Sequence, residues 1–196
     1  MKTLFVDFDG TICQDRFWRS LGESEYTQVQ EILFQENSEM VVDWMKGAYS
    51  SEDITEFLAK KINLDYSYLW ETFKNDCDRM KVSLAIFEVL TKLRSKYHLV
   101  LITGNMDSFD RFTALALQLH NYFDVMVNSY TEKQLKTDNN GETFLKYVQG
   151  SITDAVLVED SSKSCEVFQK LGGTALQVTP QVSALAHLQY LNTLDE

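Results

Sequence analysis

The stretch from Leu4 to Thr11 constrains this chain more than any other part of its sequence. Its first three residues are apolar and few enough to form a short buried strand. Asp7 and Asp9 follow at positions i and i+2, so a strand that continues this far places both carboxylates on one side. Gly10 then lets the backbone turn away without a Cβ clash. Two interpretations follow: a reactive site, or an ordinary strand exit in an acidic protein.

The two carboxylates favour the reactive interpretation. Like charges this close raise each other's proton affinity, so one carboxyl group can ionise while the other keeps its proton. The ionised group can act as a nucleophile and the protonated one as a general acid.

The next part of the chain has a helical pattern. Residues 21–78 contain thirteen acidic residues but only four lysines as strong bases. Apolar side chains recur there at helical spacing, as in Ile54, Phe57, Leu58 and Ile62. This pattern predicts four helices packed as a small bundle, with the acidic residues on its solvated face.

From Ser83 onward, apolar strands alternate with helices. Further buried strands are predicted at 98–102, 123–127, 155–158 and 174–178. One helix is predicted over 107–121, and its inward face would hold Phe109, Phe112, Leu115, Ala116 and Leu119. Short apolar strands that alternate with helices are typical of a parallel sheet covered on both faces. The sequence therefore predicts an α/β fold with a Rossmann-like, three-layer core at residues 1–14 and 82–196. A small α-helical bundle is inserted into that core at residues 15–81.

Polar residues follow the predicted strands at the edge where ligands bind in open α/β sheets. Thr103-Gly104-Asn105 offers a hydroxyl and free amides at a helix start, which can hold an anion, although an ordinary turn into a helix is the alternative. After the third strand, Lys136 could neutralise a transferring phosphoryl group. Lys133 is the alternative if the loop is shifted, and either lysine could instead be a solvated loop residue.

Glu159 and Asp160 end the fourth predicted strand. Together with Asp7 and Asp9 they would bring four carboxylates to one edge, which is costly unless a cation lies between them. Mg²⁺ fits such a site because it prefers oxygen ligands in octahedral geometry. The sequence therefore predicts Mg²⁺ as the cofactor.

In chain order, these segments resemble the four-motif signature of the haloacid dehalogenase superfamily: Asp7-Phe8-Asp9-Gly10-Thr11, Thr103-Gly104-Asn105, Lys136 and Glu159-Asp160-Ser161. The helical insertion resembles the first type of cap in that family, as in its β-phosphoglucomutase and phosphoglycolate phosphatase branch. The resemblance implies a Mg²⁺-dependent phosphatase that hydrolyses a small phosphorylated metabolite through an aspartyl-phosphate intermediate.

The resemblance also implies roles for single residues. Asp7 would be the nucleophile, and Asp9 would protonate the leaving oxygen and then activate water. The metal would be bound by Asp7, Asp160 and the backbone carbonyl of Asp9, and Glu159 would bind it either directly or through another ligand. Lys136 would stabilise the charge on Asp7 and on the phosphate. The predicted phosphate-binding set is Gly10, Thr103, Gly104, Asn105 and Lys136.

In caps of this type, a loop between helices faces the nucleophile and selects the substrate. Met45-Lys46-Gly47-Ala48-Tyr49 resembles that loop, and Lys46 is predicted to contact the substrate. The alternative is a solvated lysine at a helix C-terminus. Arg16 could also line the entrance, whereas Trp18 is predicted to pack inside the insertion.

Charge and composition bound the remaining choices. A net charge of −11 argues against nucleic acid or an anionic membrane as the main partner. No apolar run approaches the roughly 18 residues that a membrane span needs. Three scattered cysteines favour free thiols in a reducing cytosol, so a cytoplasmic location is expected. The oligomeric state stays open. The rival functions are a sugar-phosphate mutase and a non-catalytic phospho-ligand or signalling module.

Overall fold

The architecture is a five-stranded parallel sheet with helices on both faces. The computed structural model describes residues 1–194 of the 196-residue chain. The strands are β1 Lys2–Val6, β2 Tyr97–Thr103, β3 Val125–Asn128, β4 Val156–Glu159 and β5 Thr174–Gln177. Their order is β3-β2-β1-β4-β5, and each neighbouring pair is parallel. The predicted α/β class is confirmed.

Helices fill the connections between these strands. The α-helices are α1 Glu23–Gln30, α2 Ser38–Met45, α3 Ser51–Ile62, α4 Tyr66–Asp78, α5 Leu84–Leu93, α6 Ala114–Ala116, α7 Ser129–Glu132, α8 Glu142–Tyr147, α9 Ser162–Lys170 and α10 Ala184–Thr193. Two π-helical segments, Glu31–Glu36 and Phe109–Thr113, follow α1 and precede α6. Single 3-10 turns lie at Leu119–Asn121, Asp138–Gly141 and Ile152–Asp154. Within residues 1–194, no helix combines the length and hydropathy needed to cross a membrane.

Side chains of β1 alternate between the two faces of the sheet, as the period of a strand requires. Leu4 and Val6 belong to the apolar cluster that includes residues of α5 and α10. Phe5 points to the opposite face, where its ring meets Phe144 of α8 edge-on at 5.4 Å and Phe168 of α9 at 5.7 Å. A strand buried on both sides explains why its sequence is apolar without interruption.

The strand β1 lies where the order of the sheet reverses, between β2 and β4. In open α/β sheets, ligands bind in the crevice at such a switch point, beyond the carboxyl ends of the strands. The backbone N–H of Asp7 donates to the carbonyl of Val158 at 3.0 Å. Asp7 therefore extends the pairing of β1 with β4 and stands at the start of this crevice.

The proposed insertion at residues 15–81 contains α1 to α4 and is organised around aromatic rings. Trp18 is fully buried, its ring centroid lies 4.5 Å from that of Phe73, and its indole N–H donates to the carbonyl of Leu69 at 3.1 Å. Phe17 and Trp44 pack into the same group. Trp18 therefore packs inside the insertion, as the sequence predicts.

The single helix predicted over 107–121 is wrong. Helical structure begins at Asp107 but widens into the π-helical segment, and Gln118 then adopts a left-handed conformation with φ of 52°. A π turn takes more residues than an α turn, so the apolar side chains drift off the face that a period of 3.6 assigns them. Leu115, placed inward by that period, is 65% exposed.

Candidate active site

Asp7 and Lys136 form the centre of the site. The Asp7 side chain is buried at the end of β1. The Nζ atom of Lys136 lies 2.5 Å from Asp7 Oδ1 and 2.5 Å from Glu159 Oε2, and the hydroxyl of Thr11 lies 3.2 Å from Asp7 Oδ2. One ammonium group thus joins the carboxylates that follow β1 and end β4.

Burial sets the electrostatics of these groups. Desolvation raises the pKa of Asp7 above its ordinary value, although Lys136 opposes that shift. Desolvation and the charge of Asp7 raise the pKa of Glu159 as well. Burial alone would lower the pKa of Lys136, but the two carboxylates outweigh it and raise that pKa. One ammonium group lies between two buried acids, so a further cation at this site would favour the ionised form of both.

Asp9 is held by the loop that follows β2. Asn105 Nδ2 donates to Asp9 Oδ2 at 2.5 Å, and the Asn105 backbone N–H donates to the hydroxyl of Ser129 at 3.0 Å. Desolvation and the nearby charge of Asp7 raise the pKa of Asp9 to about 7. A carboxyl group in that range can both give and accept a proton near neutral pH.

Three carboxylates could hold a divalent cation. Asp7, Glu159 and Asp160 each offer one oxygen, and these three atoms all lie within 4.8 Å of one another. Thr11 joins the two loops, because its hydroxyl accepts from the backbone N–H of Asp160 at 3.1 Å. An all-oxygen donor set with only one neighbouring ammonium group fits Mg²⁺.

Gly10 permits the close approach of these loops. Its φ is +77°, a left-handed conformation that glycine adopts without strain. A Cβ atom added to Gly10 would overlap the carboxyl group of Asp160. The glycine is therefore required twice, for its backbone conformation and for the space that Asp160 occupies.

We expect Gly10→Ala to lower the free energy of unfolding by about 2–4 kcal/mol, because the left-handed strain and the overlap with Asp160 add. Gly150→Ala is the matched control, since Gly150 has φ of +82° but only one backbone atom near its Cβ position, at 4.0 Å. That variant should lose only about 1–2 kcal/mol. Denaturant unfolding of both variants measures the difference, and equal losses would contradict the role of Asp160.

A cavity of about 260 Å³ opens beside the central pair. It is lined by Asp7, Asp9, Met45, Gly104, Leu135, Lys136, Thr137, Glu159, Ser161, Lys163 and Ser164. The hydroxyl of Thr103 is buried at the end of β2 and has no hydrogen-bond partner among the described residues. A buried polar atom without a partner is costly, so this hydroxyl is available to bond to a bound group. Asp160 lines a second cavity, of about 430 Å³, with Gly10 and Thr11.

Other candidate residues lie elsewhere. The Nζ atom of Lys46 is 2.7 Å from Asp138 Oδ2, in an ion pair outside the lining of the 260 Å³ cavity. Lys133 is exposed, with its Nζ 4.5 Å from the ring centroid of Tyr130. Arg16 is exposed at the surface, where its charge lowers the pKa of Asp9 against the larger effect of burial. Of the two loop lysines, the structure brings Lys136 to the carboxylates.

No known family model matches the chain, and no curated protein matches it. Solved structures do. One is a HAD family enzyme from Bacteroides thetaiotaomicron in complex with magnesium and inorganic phosphate, with a TM-score of 0.68, 18% identity, and coverage of 91% of this chain and 94% of that one. Another is described as a predicted HAD-like family hydrolase from Porphyromonas gingivalis, with a TM-score of 0.70, 15% identity, and coverage of 100% and 98%.

The chain has the haloacid dehalogenase fold. The same fold relates it to an L-2-haloacid dehalogenase from Xanthobacter autotrophicus with chloropropionic acid covalently bound. That match has a TM-score of 0.64 and 13% identity, and it covers 97% of this chain and 88% of the other. At these identities the likeness establishes the fold, and the branch within it stays a prediction.

Two residues of this haloacid dehalogenase fold were given no role by the sequence. Thr11 is buried and bonds to both Asp7 and Asp160, although its side chain is only one of many hydroxyls in the chain. Ser129 accepts from Asn105 and donates to the carbonyl of Met45 at 2.8 Å. Its position directly after β3 was the available signal, because polar residues at strand ends meet at this edge.

Proposed function

We propose that this chain is a Mg²⁺-dependent phosphatase that hydrolyses a small phosphorylated metabolite through an aspartyl-phosphate intermediate. The observation that carries the proposal is the convergence of Asp7, Lys136, Glu159 and Asp160 from separate loops, with Asp9 beside them. A buried carboxylate next to an ammonium group suits nucleophilic attack on phosphorus, since the ammonium group stabilises the charge that develops.

The first half of the reaction forms the intermediate. A carboxylate oxygen of Asp7 attacks phosphorus, and the bond from phosphorus to the leaving oxygen breaks. Asp9 gives its proton to that oxygen, so the product leaves as an alcohol. Lys136 remains against Asp7 and offsets the added negative charge, and the free Thr103 hydroxyl can donate to a phosphoryl oxygen.

The second half regenerates the enzyme. Asp9, now ionised, takes a proton from water, and the water oxygen attacks phosphorus. The bond between phosphorus and Asp7 breaks, which releases inorganic phosphate. Asp7, Glu159 and Asp160 would hold Mg²⁺, which supplies Lewis-acid stabilisation of phosphoryl oxygens. Asn105 keeps the Asp9 carboxyl oriented for both proton transfers.

The comparisons add support without naming a substrate. A structure of the same fold, from Bacteroides thetaiotaomicron, was solved with magnesium and inorganic phosphate bound. The cavity of about 260 Å³ is slightly smaller than the clefts of about 300–1,000 Å³ that hold drug-sized ligands, so its size favours a small metabolite.

The test is phosphate release from a generic aryl phosphate and from a panel of phosphorylated metabolites, with Mg²⁺ or with excess chelator. We expect turnover with Mg²⁺ and a fall of at least about 100-fold on chelation, because metal ions stabilise the developing phosphoryl charge by several kcal/mol. Undiminished activity in chelator would contradict Mg²⁺ dependence. Interconversion of hexose phosphate isomers would indicate the mutase, and no turnover of any compound would indicate a binding module.

A further inference from the structure

Asp107, four residues after Thr103, holds both ends of the connection between α2 and α3. Its side chain is buried, and one oxygen, Oδ1, accepts three hydrogen bonds. The donors are the indole N–H of Trp44 at 3.2 Å, the backbone N–H of Ser51 at 3.0 Å and the Ser51 hydroxyl at 2.6 Å. Trp44 lies in the last turn of α2 and Ser51 begins α3.

The second oxygen of Asp107 is also occupied. Arg111 Nη1 lies 2.6 Å from Asp107 Oδ2, and the guanidinium group pairs with Glu52 of α3 at 2.6 and 2.8 Å. The Glu52 and Arg111 side chains are about two-fifths exposed, whereas the Asp107 side chain is 7% exposed. The buried contacts of Asp107 with Trp44 and Ser51 therefore contribute more than the outer ion pair, since exposed pairs stabilise little.

The segment held in this way forms part of the candidate active site. Met45 lines the 260 Å³ cavity with Gly104 and Leu135. Its sulfur lies 3.9 Å from the position that a Cβ on Gly104 would occupy, and its carbonyl accepts from Ser129. A shift of the connection at residues 46–50 would therefore move the Met45 wall of the cavity.

We propose that Asp107 is a positioning residue that fixes residues 44–51 on the sheet and so makes Met45 a rigid wall of the cavity. Its consequence for catalysis, a preference for compact leaving groups, rests on the proposed phosphatase function. The ordering of residues 44–51 does not depend on that function, so the positioning role and the catalytic consequence can be tested separately.

The first test is hydrogen–deuterium exchange of the peptide that spans residues 44–51. Asp107→Ala should accelerate the exchange of this peptide by at least about tenfold. Amides exchange when the segment opens locally, and in this variant opening would no longer have to break the hydrogen bonds to Trp44 and Ser51. The matched control, Glu52→Gln, removes only the outer ion pair and should exchange within about twofold of the parent. Unchanged protection in Asp107→Ala overturns the proposal, whether or not the protein is a phosphatase.

A second variant covers the case in which Asp107→Ala fails to fold. Asp107→Asn keeps an oxygen acceptor for Trp44 and Ser51 but turns an amide group toward Arg111. Its exchange over residues 44–51 should stay within about threefold of the parent, because the buried acceptor is preserved. Exchange as fast as expected for the alanine variant would show that the bonds to Oδ1 do not order this segment.

The catalytic consequence is measured with phenyl phosphate and 1-naphthyl phosphate, which differ in bulk but share the aryl leaving-group chemistry. Asp107→Ala should lower the ratio of their kcat/KM values, phenyl over naphthyl, by about tenfold as the wall loosens. Glu52→Gln should leave the ratio unchanged. Equal losses on both substrates would mean a purely structural role for Asp107. Absence of turnover in the parent would overturn the proposed function and leave the exchange result to decide the positioning role.

Discussion

Asp7→Asn is expected to reduce phosphate release by about 1,000-fold or more, because an amide cannot act as the nucleophile. The substitution keeps the shape of a side chain that is buried between Lys136 and Thr11. Circular dichroism and the unfolding temperature should therefore show a folded protein. Release of phosphate from an aryl phosphate with Mg²⁺ measures the loss.

Glu166→Gln is the control for this variant. It removes one negative charge from the exposed side of α9 and touches none of the candidate groups. It should retain activity within about twofold, since exposed substitutions away from such sites have small effects. Full activity in Asp7→Asn would exclude the aspartyl-phosphate route, even if the protein proved to be a phosphatase.

Lys136→Met is expected to cost both activity and stability. Methionine has similar length but no charge, so the buried carboxylates of Asp7 and Glu159 would lose the ammonium group between them. Removing one partner from a buried ion pair destabilises by about 3–5 kcal/mol. Loss of a group that offsets transition-state charge lowers kcat by about 10²–10³-fold. Denaturant unfolding without added Mg²⁺ and turnover with Mg²⁺ measure the two effects.

Lys133→Met provides the matched comparison on the same loop. Lys133 is exposed and contacts the Tyr130 ring and the carbonyl of Gly47 instead of the carboxylates. Its loss should change stability by less than about 0.5 kcal/mol and leave turnover near the parent value. If Lys133→Met were the more damaging variant, Lys136 could not be the phosphate-binding lysine.

The fold could be predicted because its signals are local. Each buried strand of the sheet is a short apolar run, and the period of the helices of the insertion is visible in their side chains. The grouping of Asp7, Thr103 and Glu159 at one edge also followed from the sequence, because parallel strands end together. The sequence favours Lys136 over Lys133 because Lys136 stands just ahead of the next predicted helix, and the structure places its ammonium group beside Asp7.

The unpredicted features depend on contacts between distant residues. Lys46 pairs with Asp138, and Asp107 with Ser51, across separations of 92 and 56 residues in the chain. No spacing in the sequence encodes these pairs. The π-helical segment at Phe109–Thr113 also involves a contact between distant residues. The ring of Phe109 packs edge-on against Phe8 at 5.0 Å, and this tertiary contact accompanies the departure from the regular helical period.

The central place of β1 also governs when the protein can assemble. Its partners β2 and β4 begin at residues 97 and 156, so the centre of the sheet cannot form until these later segments have been synthesised. At about 5–20 residues per second, a ribosome needs roughly 8–30 s to proceed from β1 to β4. Until β4 has been made, the edge of β1 that pairs with β4 stays unpaired. We expect slow folding as the kinetic consequence, because the pairing of β1 with β4 must close a loop of about 150 residues before it forms.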